Sequence, residues 1–245
     1  MTTVAVLCDP PRPGLVLEDL VDTTPLSPEE AAALYAALTK DTVRAVAKSG
    51  GELLVNYRPD DHLGDDGDAE AEVREVVADV VDPEEARFER QVGETFAGRA
   101  GNTATHLLET EEVASVAITR PEAAFLARTE IDSSAMKLRS TDAVLAPSPG
   151  GRTYFAAFGQ PIDFTDCYAP PAFETLTGRC LGAGLDVGFL ETKPYLETGA
   201  DLADVLVSVR TRRKAGGLLP PALAEWVADC GLVVEATADG LELVR

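Results

Sequence analysis

Cysteine and histidine, the side chains that most often carry metal or nucleophile chemistry, are few and widely spaced in this sequence. The four cysteines lie at positions 8, 167, 180 and 230 without a CxxC pair, and the two histidines are isolated. These spacings exclude the usual zinc sites, whose ligands come in closely spaced pairs. We therefore expect four reduced thiols, most of them buried as small apolar side chains.

Motifs for nucleophilic catalysis and for phosphate binding are also missing. The sequence has no serine nucleophile elbow, no GxxxxGK[ST] phosphate loop and no GxGxxG dinucleotide fingerprint. The standard hydrolase, P-loop and dinucleotide-binding functions therefore have no support.

The densest acidic run, Asp60 to Asp68, is the segment most similar to a cation-binding loop. It resembles a calcium loop in composition, but it lacks the alternating ligand spacing and the closing glutamate at the twelfth position. This composition therefore favours a solvated loop.

Acidic residues outnumber basic ones two to one: 42 aspartates and glutamates against 21 lysines and arginines give a formal net charge of -21. Dispersed acid with little lysine indicates a halophilic protein adapted to high internal salt, where a Debye length of about 3 Å or less screens self-repulsion. The alternative is a site that repels anions or collects cations. A general nucleic-acid binder is excluded, because neutralising phosphates needs a basic face.

Length and hydropathy indicate the class of protein and its compartment. A chain of 245 residues with 45% hydrophobic content suits one large domain with its own core. No apolar run approaches the roughly 20 residues of a membrane span. Met1-Thr2-Thr3 leads directly into an apolar strand, without a basic leader or cleavage site. We expect a soluble, cytoplasmic protein without a membrane partner.

Apolar patterning predicts strands that alternate with helices. Short apolar runs predict strands at 3–8, 52–57, 113–118, 142–147, 153–158 and 186–190. Helical periods and caps predict helices from Pro28 to the Ser49-Gly50-Gly51 stop, near 69–80 and 83–98, after Pro121, and near 171–182, 200–213 and 220–229. Segments 232–236 and 241–244 predict a hairpin. The alternation indicates an α/β protein with a mostly parallel sheet flanked by helices.

A basic cluster, Arg210-Thr211-Arg212-Arg213-Lys214, is the best candidate for a domain boundary. We interpret it as the charged end of a helix, which complements the helix dipole. A phosphate or partner contact is the alternative. We thus expect one domain over residues 1–210 and an appendage over 211–245, a helix and a hairpin packed on that domain.

Four segments, in the expected order, resemble the motifs of one enzyme superfamily. They are Pro13-Gly14 with Pro25 to Tyr35 and Asp41-Thr42; Gln91 to Arg99; Asp142 to Phe158; and Leu196 to Leu202. Over residues 3–210 the sequence thereby resembles the GT-A-like nucleotide-diphospho-sugar transferase superfamily, in an uncharacterised glycosyltransferase-like branch related to archaeal 2-phospho-lactate guanylyltransferase. The resemblance implies a GT-A-like (Rossmann-like) mixed, mostly parallel sheet and a nucleotidyl- or glycosyltransferase-type domain.

The positions that carry the chemistry of that superfamily differ here. Such chemistry needs cations to hold phosphates and carboxylates to hold a divalent metal. The superfamily's Arg, Lys and Arg after Pro-Gly correspond to Leu15, Leu17 and Asp19. Its acidic metal turn corresponds to Thr119-Arg120-Pro121, and Gly150 takes the acid position of its Asp-Gly-Gly loop. Together these changes favour loss of the ancestral metal-dependent reaction.

The resemblance and the predicted strand ends place a ligand cleft at the carboxyl ends of the strands. The candidate ligand-binding residues are Pro13, Gly14, Arg120, Ser148, Gly150, Gly151 and Tyr154. Glu197 is the candidate metal ligand, for Mg²⁺ or Mn²⁺ if the chain is active. Arg120 could bind an anion without metal, although a surface salt bridge is the interpretation that we favour.

We expect a degenerate domain that binds a nucleotide, a phosphorylated small molecule or a protein partner without transfer chemistry. The alternative is an active metal-dependent nucleotidyl- or glycosyltransferase, with Glu197, Asp142 or acids of the 60–68 run as rearranged metal ligands. A third hypothesis is an interaction subunit without a small ligand. An open, polar cleft would favour ligand binding, whereas a cleft filled by Leu15, Leu17 or Tyr154 would favour a scaffold.

Overall fold

The computed structural model describes residues 1–64, 66–238 and 240–245, and these form nine strands and nine α-helices. The strands are β1 (Thr2–Cys8), β2 (Glu52–Tyr57), β3 (Arg87–Arg90), β4 (Ser115–Thr119), β5 (Ala143–Ser148), β6 (Arg152–Phe158), β7 (Val187–Phe189), β8 (Val233–Thr237) and β9 (Gly240–Val244). The helices are α1 (Glu18–Thr23), α2 (Pro28–Ala47), α3 (Asp60–Leu63), α4 (Ala69–Val77), α5 (Phe96–Thr105), α6 (Arg128–Lys137), α7 (Ala172–Gly182), α8 (Gly199–Lys214) and α9 (Pro221–Asp229).

Seven strands form one twisted sheet in the order β3-β2-β1-β4-β6-β5-β7. The strands run parallel except β6, which is antiparallel to both β4 and β5. This confirms the predicted α/β fold with a mixed, mostly parallel sheet. Strands β2 and β3 are added on one side of β1, and the later strands are added on its other side, from β4 onward. Ligands of open α/β sheets bind at such a switch point, outside the carboxyl ends of the strands.

Helices cover both faces of the sheet, so every residue of β1 is buried. Alternate side chains of β1 face opposite layers: Val4 and Val6 join the core under α2 and α4, and Ala5 and Leu7 join the core under α5 and α7. The prediction of buried thiols is confirmed for Cys8, Cys167 and Cys180, and Cys230 is half-buried; all four are free.

Helix α2 begins where its sequence signature predicts. Ser27 accepts a hydrogen bond from the Glu30 amide, and the Glu30 carboxylate accepts one from the Ser27 amide, 2.8 Å away. Pro28 occupies the first turn, where its missing N–H has no partner to lose. This reciprocal capping satisfies amides that a helix start otherwise leaves open.

Two helix predictions are wrong. The predicted helix near 83–98 is replaced by strand β3, which pairs with β2, and by the start of α5 at Phe96. The capping signature at Asp82 forms only a turn. The residues after it pair with β2, and this pairing decides their conformation. Likewise Pro121 opens turns, and α6 begins only at Arg128. Capping signals are local, whereas residues 121–126 are all buried by tertiary packing.

The acidic run is more ordered than the predicted solvated loop. Asp60 begins the short helix α3, accepts a hydrogen bond from the Ala69 amide at 2.9 Å, and pairs with Arg12 at 2.6 Å. The first acid of the run therefore ties α4 to the loop after β1. Asp65, another acid of this run, lies outside the described residues.

The C-terminal region packs on α2, through α9, and on α8, through β9. Residue 210, the predicted end of the first domain, lies inside α8, which continues to Lys214. The hairpin of β8 and β9 is confirmed, and β9 packs against α8. Division into two units stays a prediction. Within the described part of the chain, none of the helices has the length and apolar character needed to cross a bilayer.

Candidate ligand-binding cleft

A cavity of about 270 Å³ opens at the carboxyl end of β4, beside the first residues of β6. The first turn of α5 and the loop at 166–170 form its other walls. A second cavity of about 330 Å³ adjoins it and shares three lining residues with it, Arg120, Tyr195 and Glu197. We call the two cavities together the cleft.

The turn between β5 and β6 positions one wall of the cleft. Gly150 and Gly151 have φ of +75° and +70°, a left-handed conformation that glycine adopts without strain. The chain reverses there, and β6 returns antiparallel to both neighbours with Arg152 as its first residue. Arg152 thereby lines the cleft.

Arg152 forms the densest set of ionic contacts in the cleft. Its guanidinium donates to the Asp201 carboxylate from both terminal nitrogens, at 2.7 and 2.6 Å, and to Glu197 Oε2 at 2.9 Å. Arg152 and Asp201 side chains are 17% and 15% exposed, so water screens this pair less than a surface pair. Burial alone would raise the pKa of Asp201, but hydrogen bonds from Arg152 and Thr198 outweigh it and lower that pKa.

Arg120 stands between the two cavities, directly after β4. It pairs with Glu122, and its guanidinium lies 4.6 Å from the centroid of the Phe96 ring, a cation–π contact. The Glu122 side chain is 8% exposed, and its Oε2 is buried without a hydrogen-bond partner among the described residues. Burial raises the pKa of Glu122, and Arg120 opposes that rise.

Two more arginines lie close to Arg120. Arg58 follows β2, lines the second cavity and lies 3.8 Å from Asp9, which follows β1. Arg99, on α5, is buried; burial first, then the nearby charges of Arg58 and Arg120, lower its pKa. The Nε atoms of Arg58 and Arg99 are buried and have no partner among the described residues. Three guanidinium groups thus lie close to the carboxylates of Asp9 and Glu122, and Glu18, Asp19 and Glu197 also line the second cavity.

Two hydroxyl groups of the cleft are also without a partner. The oxygens of Thr153 and Tyr168 are buried and form no hydrogen bond with any described residue, and both residues line the first cavity. Buried polar groups in proteins are nearly always hydrogen-bonded. These two hydroxyls therefore lack the partner that such groups usually have.

Three of the eight predicted site residues line the cleft: Arg120, Tyr154 and Glu197. The Arg120 salt bridge that we favoured is present, to Glu122, but it lies in the cleft rather than on the open surface. Tyr154 is 1% exposed, and its hydroxyl donates to the Glu191 carbonyl at 3.1 Å, so this side chain belongs to the core.

The other five predicted residues do not line either cavity. Pro13 and Gly14 form an exposed turn after β1. Ser148 is buried, and its hydroxyl donates to the Lys193 carbonyl at 2.7 Å. Gly150 and Gly151 act through their backbone, by turning the chain into β6.

The cleft is open. Leu15 and Leu17 line one wall of the second cavity without closing it, and Tyr154 packs into the core. Arg58, Arg120 and Glu122 contribute polar groups to the same cavity. This is the arrangement that favours ligand binding over a scaffold.

Among the described residues, the acids predicted to hold a divalent metal are already engaged or lie apart. Both acids of the last turn, Glu197 and Asp201, already hold the Arg152 guanidinium. Asp142 accepts a hydrogen bond from the Asp186 amide at 2.9 Å. It lies beside the start of β5, at the opposite end of the strands from the cleft. Among the described residues, no group of three histidine, cysteine or acidic side chains could hold a metal ion.

Sequence reasoning missed Arg58, Arg99, Arg152 and Asp201. Arg58 could have been found, because it follows the second predicted strand and the carboxyl ends of parallel strands share one edge. The pairing of Arg152 with Asp201 joins residues 49 positions apart, and no local pattern indicates it.

The sequence matches no family model and no curated protein. The structure is similar to that of a Desulfovibrio desulfuricans protein provisionally named a nucleotide-diphospho-sugar transferase, with a TM-score of 0.72 and 17% identity, over 93% of this chain and 98% of that one. A cytidylyltransferase from Leptospira borgpetersenii gives a TM-score of 0.52 and 7% identity, over 94% of each chain.

A third structure, CMP:2-keto-3-deoxy-manno-octonic acid synthetase complexed with CTP, gives a TM-score of 0.50 and 10% identity, over 86% of this chain and 99% of that one. These likenesses concern the fold, and the narrower relation to the archaeal guanylyltransferases stays a prediction. The chain has the GT-A-like fold of the nucleotide-diphospho-sugar transferases and cytidylyltransferases.

Proposed function

We propose that this chain binds a nucleotide or another phosphorylated small molecule in the cleft, without metal-dependent transfer chemistry. One observation carries the proposal: Arg152 holds Glu197 and Asp201, the acids of the candidate metal turn, while the cleft beside them stays open and polar. The Arg152 guanidinium neutralises part of the charge of these two acids, a role that a metal ion would otherwise have.

The other charged and aromatic groups of the cleft support the same ligand class. Guanidinium groups bind phosphate oxygens through paired, charge-assisted hydrogen bonds, and Arg58 and Arg120 both line the second cavity. The rings of Phe96, Tyr168 and Tyr195 line the first cavity and offer a surface for a nucleobase. The CTP complex of a protein with this fold supports a nucleotide as the first ligand to test.

Thermal unfolding against nucleoside mono-, di- and triphosphates and nucleotide sugars tests the proposal, each with EDTA and with Mg²⁺ or Mn²⁺. A ligand at 100 times its dissociation constant adds about 2.7 kcal/mol, which raises the midpoint of a chain this size by about 5–11 °C. We expect such a rise in EDTA, unchanged by metal.

Two variants and one control locate the binding. Arg120→Lys keeps the positive charge beside Glu122 but loses the planar guanidinium, which can donate two parallel hydrogen bonds. Arg58→Gln removes a cation from the cavity wall. Each variant should reduce the rise in the unfolding midpoint. Arg139→Gln should leave the rise unchanged, because Arg139 is exposed and precedes β5, at the opposite end of the strands from the cleft. A rise that needs Mn²⁺ or Mg²⁺ would favour the alternative, an active transferase. If the protein is folded and none of these ligands changes its unfolding midpoint, a protein partner would be favoured.

We further propose that the chain works in a cytoplasm at high salt. Its net charge of -21 supports this, because dispersed acidic charge repels itself unless counter-ions screen it.

A further inference from the structure

A second pocket, apart from the cleft, lies between α2, the start of α6 and the segment that joins α8 to α9. Its volume is about 250 Å³. Five basic side chains line it: Arg44, Lys48, Arg128, Lys193 and Arg212. We call it the basic pocket.

The charge of the basic pocket is opposite to that of the chain as a whole. The chain has 21 basic residues against 42 acidic ones, yet the pocket's lining includes five basic residues and one acid, Asp41. The Asp41 carboxylate is already engaged, with Arg44 at 2.6 Å and with two amides of α9. Lys193 pairs with Glu130 at 2.6 Å.

The remaining three cations of the basic pocket are available. Lys48, Arg128 and Arg212 are exposed, and none of them forms a salt bridge with a described residue. Arg212 instead lies 4.7 Å from the centroid of the Phe125 ring. An acidic protein that concentrates unpaired cations around one concave site creates there a local attraction for anions.

The floor of the basic pocket is apolar. Phe125 and Leu126 are each 6% exposed and form its base, and Leu219, Pro220 and Pro221 form a side. Leu218, at the rim, is 96% exposed. A fully exposed leucine beside an apolar floor gains stability when a ligand covers it, because its surface then leaves water.

We propose that the basic pocket binds a small organic anion: an apolar body that carries one carboxylate, sulfonate or phosphate group. The apolar body covers Phe125, Leu126 and Leu218, and the acid group lies between Lys48, Arg128 and Arg212. A small molecule fits better than a protein surface because the site is concave and bounded by three separate elements, as ligand sites commonly are.

Fluorescence titration with anilinonaphthalene sulfonate tests this proposal on the intact chain, at the lowest KCl concentration that keeps it folded by circular dichroism. This probe combines an apolar ring system with one anionic group. We expect it to bind, while phenylnaphthylamine, the same ring system without the sulfonate, binds at least about tenfold more weakly, as expected when a hydrogen bond to a charged group is lost. Sodium sulfate, which lacks the apolar body, should not displace the probe at equal concentration.

Variants assign the binding to this pocket. Lys48→Gln with Arg128→Gln should weaken the sulfonate about tenfold or more and leave phenylnaphthylamine unchanged, whereas Leu218→Ser should weaken both probes. Arg139→Gln with Arg179→Gln removes two cations elsewhere and should change neither affinity. Equal sulfonate affinity in the two double variants would overturn the proposal. So would binding of a glutamate-rich peptide without binding of the sulfonate, which would assign the site to a protein partner.

Discussion

At the scale of single residues, Arg152 occupies the two acids that were candidates for holding a metal ion. Its guanidinium binds two carboxylates from the turn before α8, and both partners of the Asp201 pair are largely buried. Because this cation belongs to the chain, the two acids are partly neutralised without a free metal ion, which is the physical basis for expecting metal-independent binding.

Arg152→Ala should convert this turn into a weak metal site. Glu197 and Asp201 would then lie close together without a counter-charge, and carboxylate oxygens are the ligands that hard divalent cations prefer. We expect millimolar Mn²⁺ to raise the unfolding midpoint of the variant by about 2–4 °C, equivalent to about 1 kcal/mol, and not that of the parent chain. Arg179→Ala on α7 is the matched control. The same Mn²⁺ effect in parent and variant would contradict this account.

Asp201 should contribute to stability only above the acidic range. Its pKa is lowered in the folded chain from the ordinary value of 3.8, so its contribution is present above pH 3.8 and is lost as pH falls through that value and below. We expect Asp201→Asn to reduce the free energy of unfolding at pH 7. The difference between the variant and the parent chain should shrink as pH falls below about 4. Urea unfolding over this range measures it; a difference independent of pH would show that the carboxylate charge is not the cause.

At the scale of elements, α9 is capped by a side chain from a distant helix. Asp41 of α2 accepts hydrogen bonds from the Leu223 amide at 2.8 Å and the Ala222 amide at 3.1 Å, where α9 begins with Pro220 and Pro221 and has no cap of its own. This contact fastens the C-terminal region to the sheet domain.

Asp41→Ala should lower the free energy of unfolding by about 1–2 kcal/mol, the usual cost of a lost helix cap, and the midpoint by about 2–8 °C. Asp41→Asn keeps an acceptor oxygen and should lose less. Calorimetry of the two variants checks this order. Equal losses would mean that the pairing with Arg44, and not the capping, supplies the stability.

The position of α5, which forms a cleft wall, depends on a close approach at Gly101. A Cβ at Gly101 would lie 2.7 Å from the Phe164 Cβ, whereas a Cβ at Gly178 of α7 would meet nothing within 4 Å. Gly101→Ala should therefore cost about 1–3 kcal/mol of overpacking, and Gly178→Ala should gain up to about 1 kcal/mol of helix propensity. Paired urea titrations measure both. A stabilising Gly101→Ala would show that the loop at Phe164 moves freely away.

At the scale of the whole molecule, the net charge should make stability depend on salt concentration. With a net charge of -21, self-repulsion should destabilise the folded chain at low ionic strength. We expect the unfolding midpoint to rise with KCl, mostly between about 0.1 and 1 M, where the Debye length falls from about 10 to 3 Å. A linear rise that continues through the molar range would indicate general exclusion of salt from the surface instead. A midpoint independent of KCl would contradict the high-salt proposal.

Local patterns were sufficient for most of the architecture. The apolar run of β1, the Ser27-Pro28 start of α2 and the C-terminal hairpin were each predicted because periodicity and capping act between near neighbours. The same local signals failed at 83–98 and at Pro121, where pairing with a sheet edge and burial outweigh a capping sequence.

The sequence by itself determined the α/β fold, the acidic character and two residues that line the cleft with their charged groups, Arg120 and Glu197. Only the tertiary structure decided what those charges contact. Arg152 meets Glu197 and Asp201 across 45 and 49 residues, and Arg58 joins Arg120 because β2, β1 and β4 are neighbours in the sheet. Electrostatic contacts depend on distance in space, and strand order, which no short pattern encodes, sets that distance.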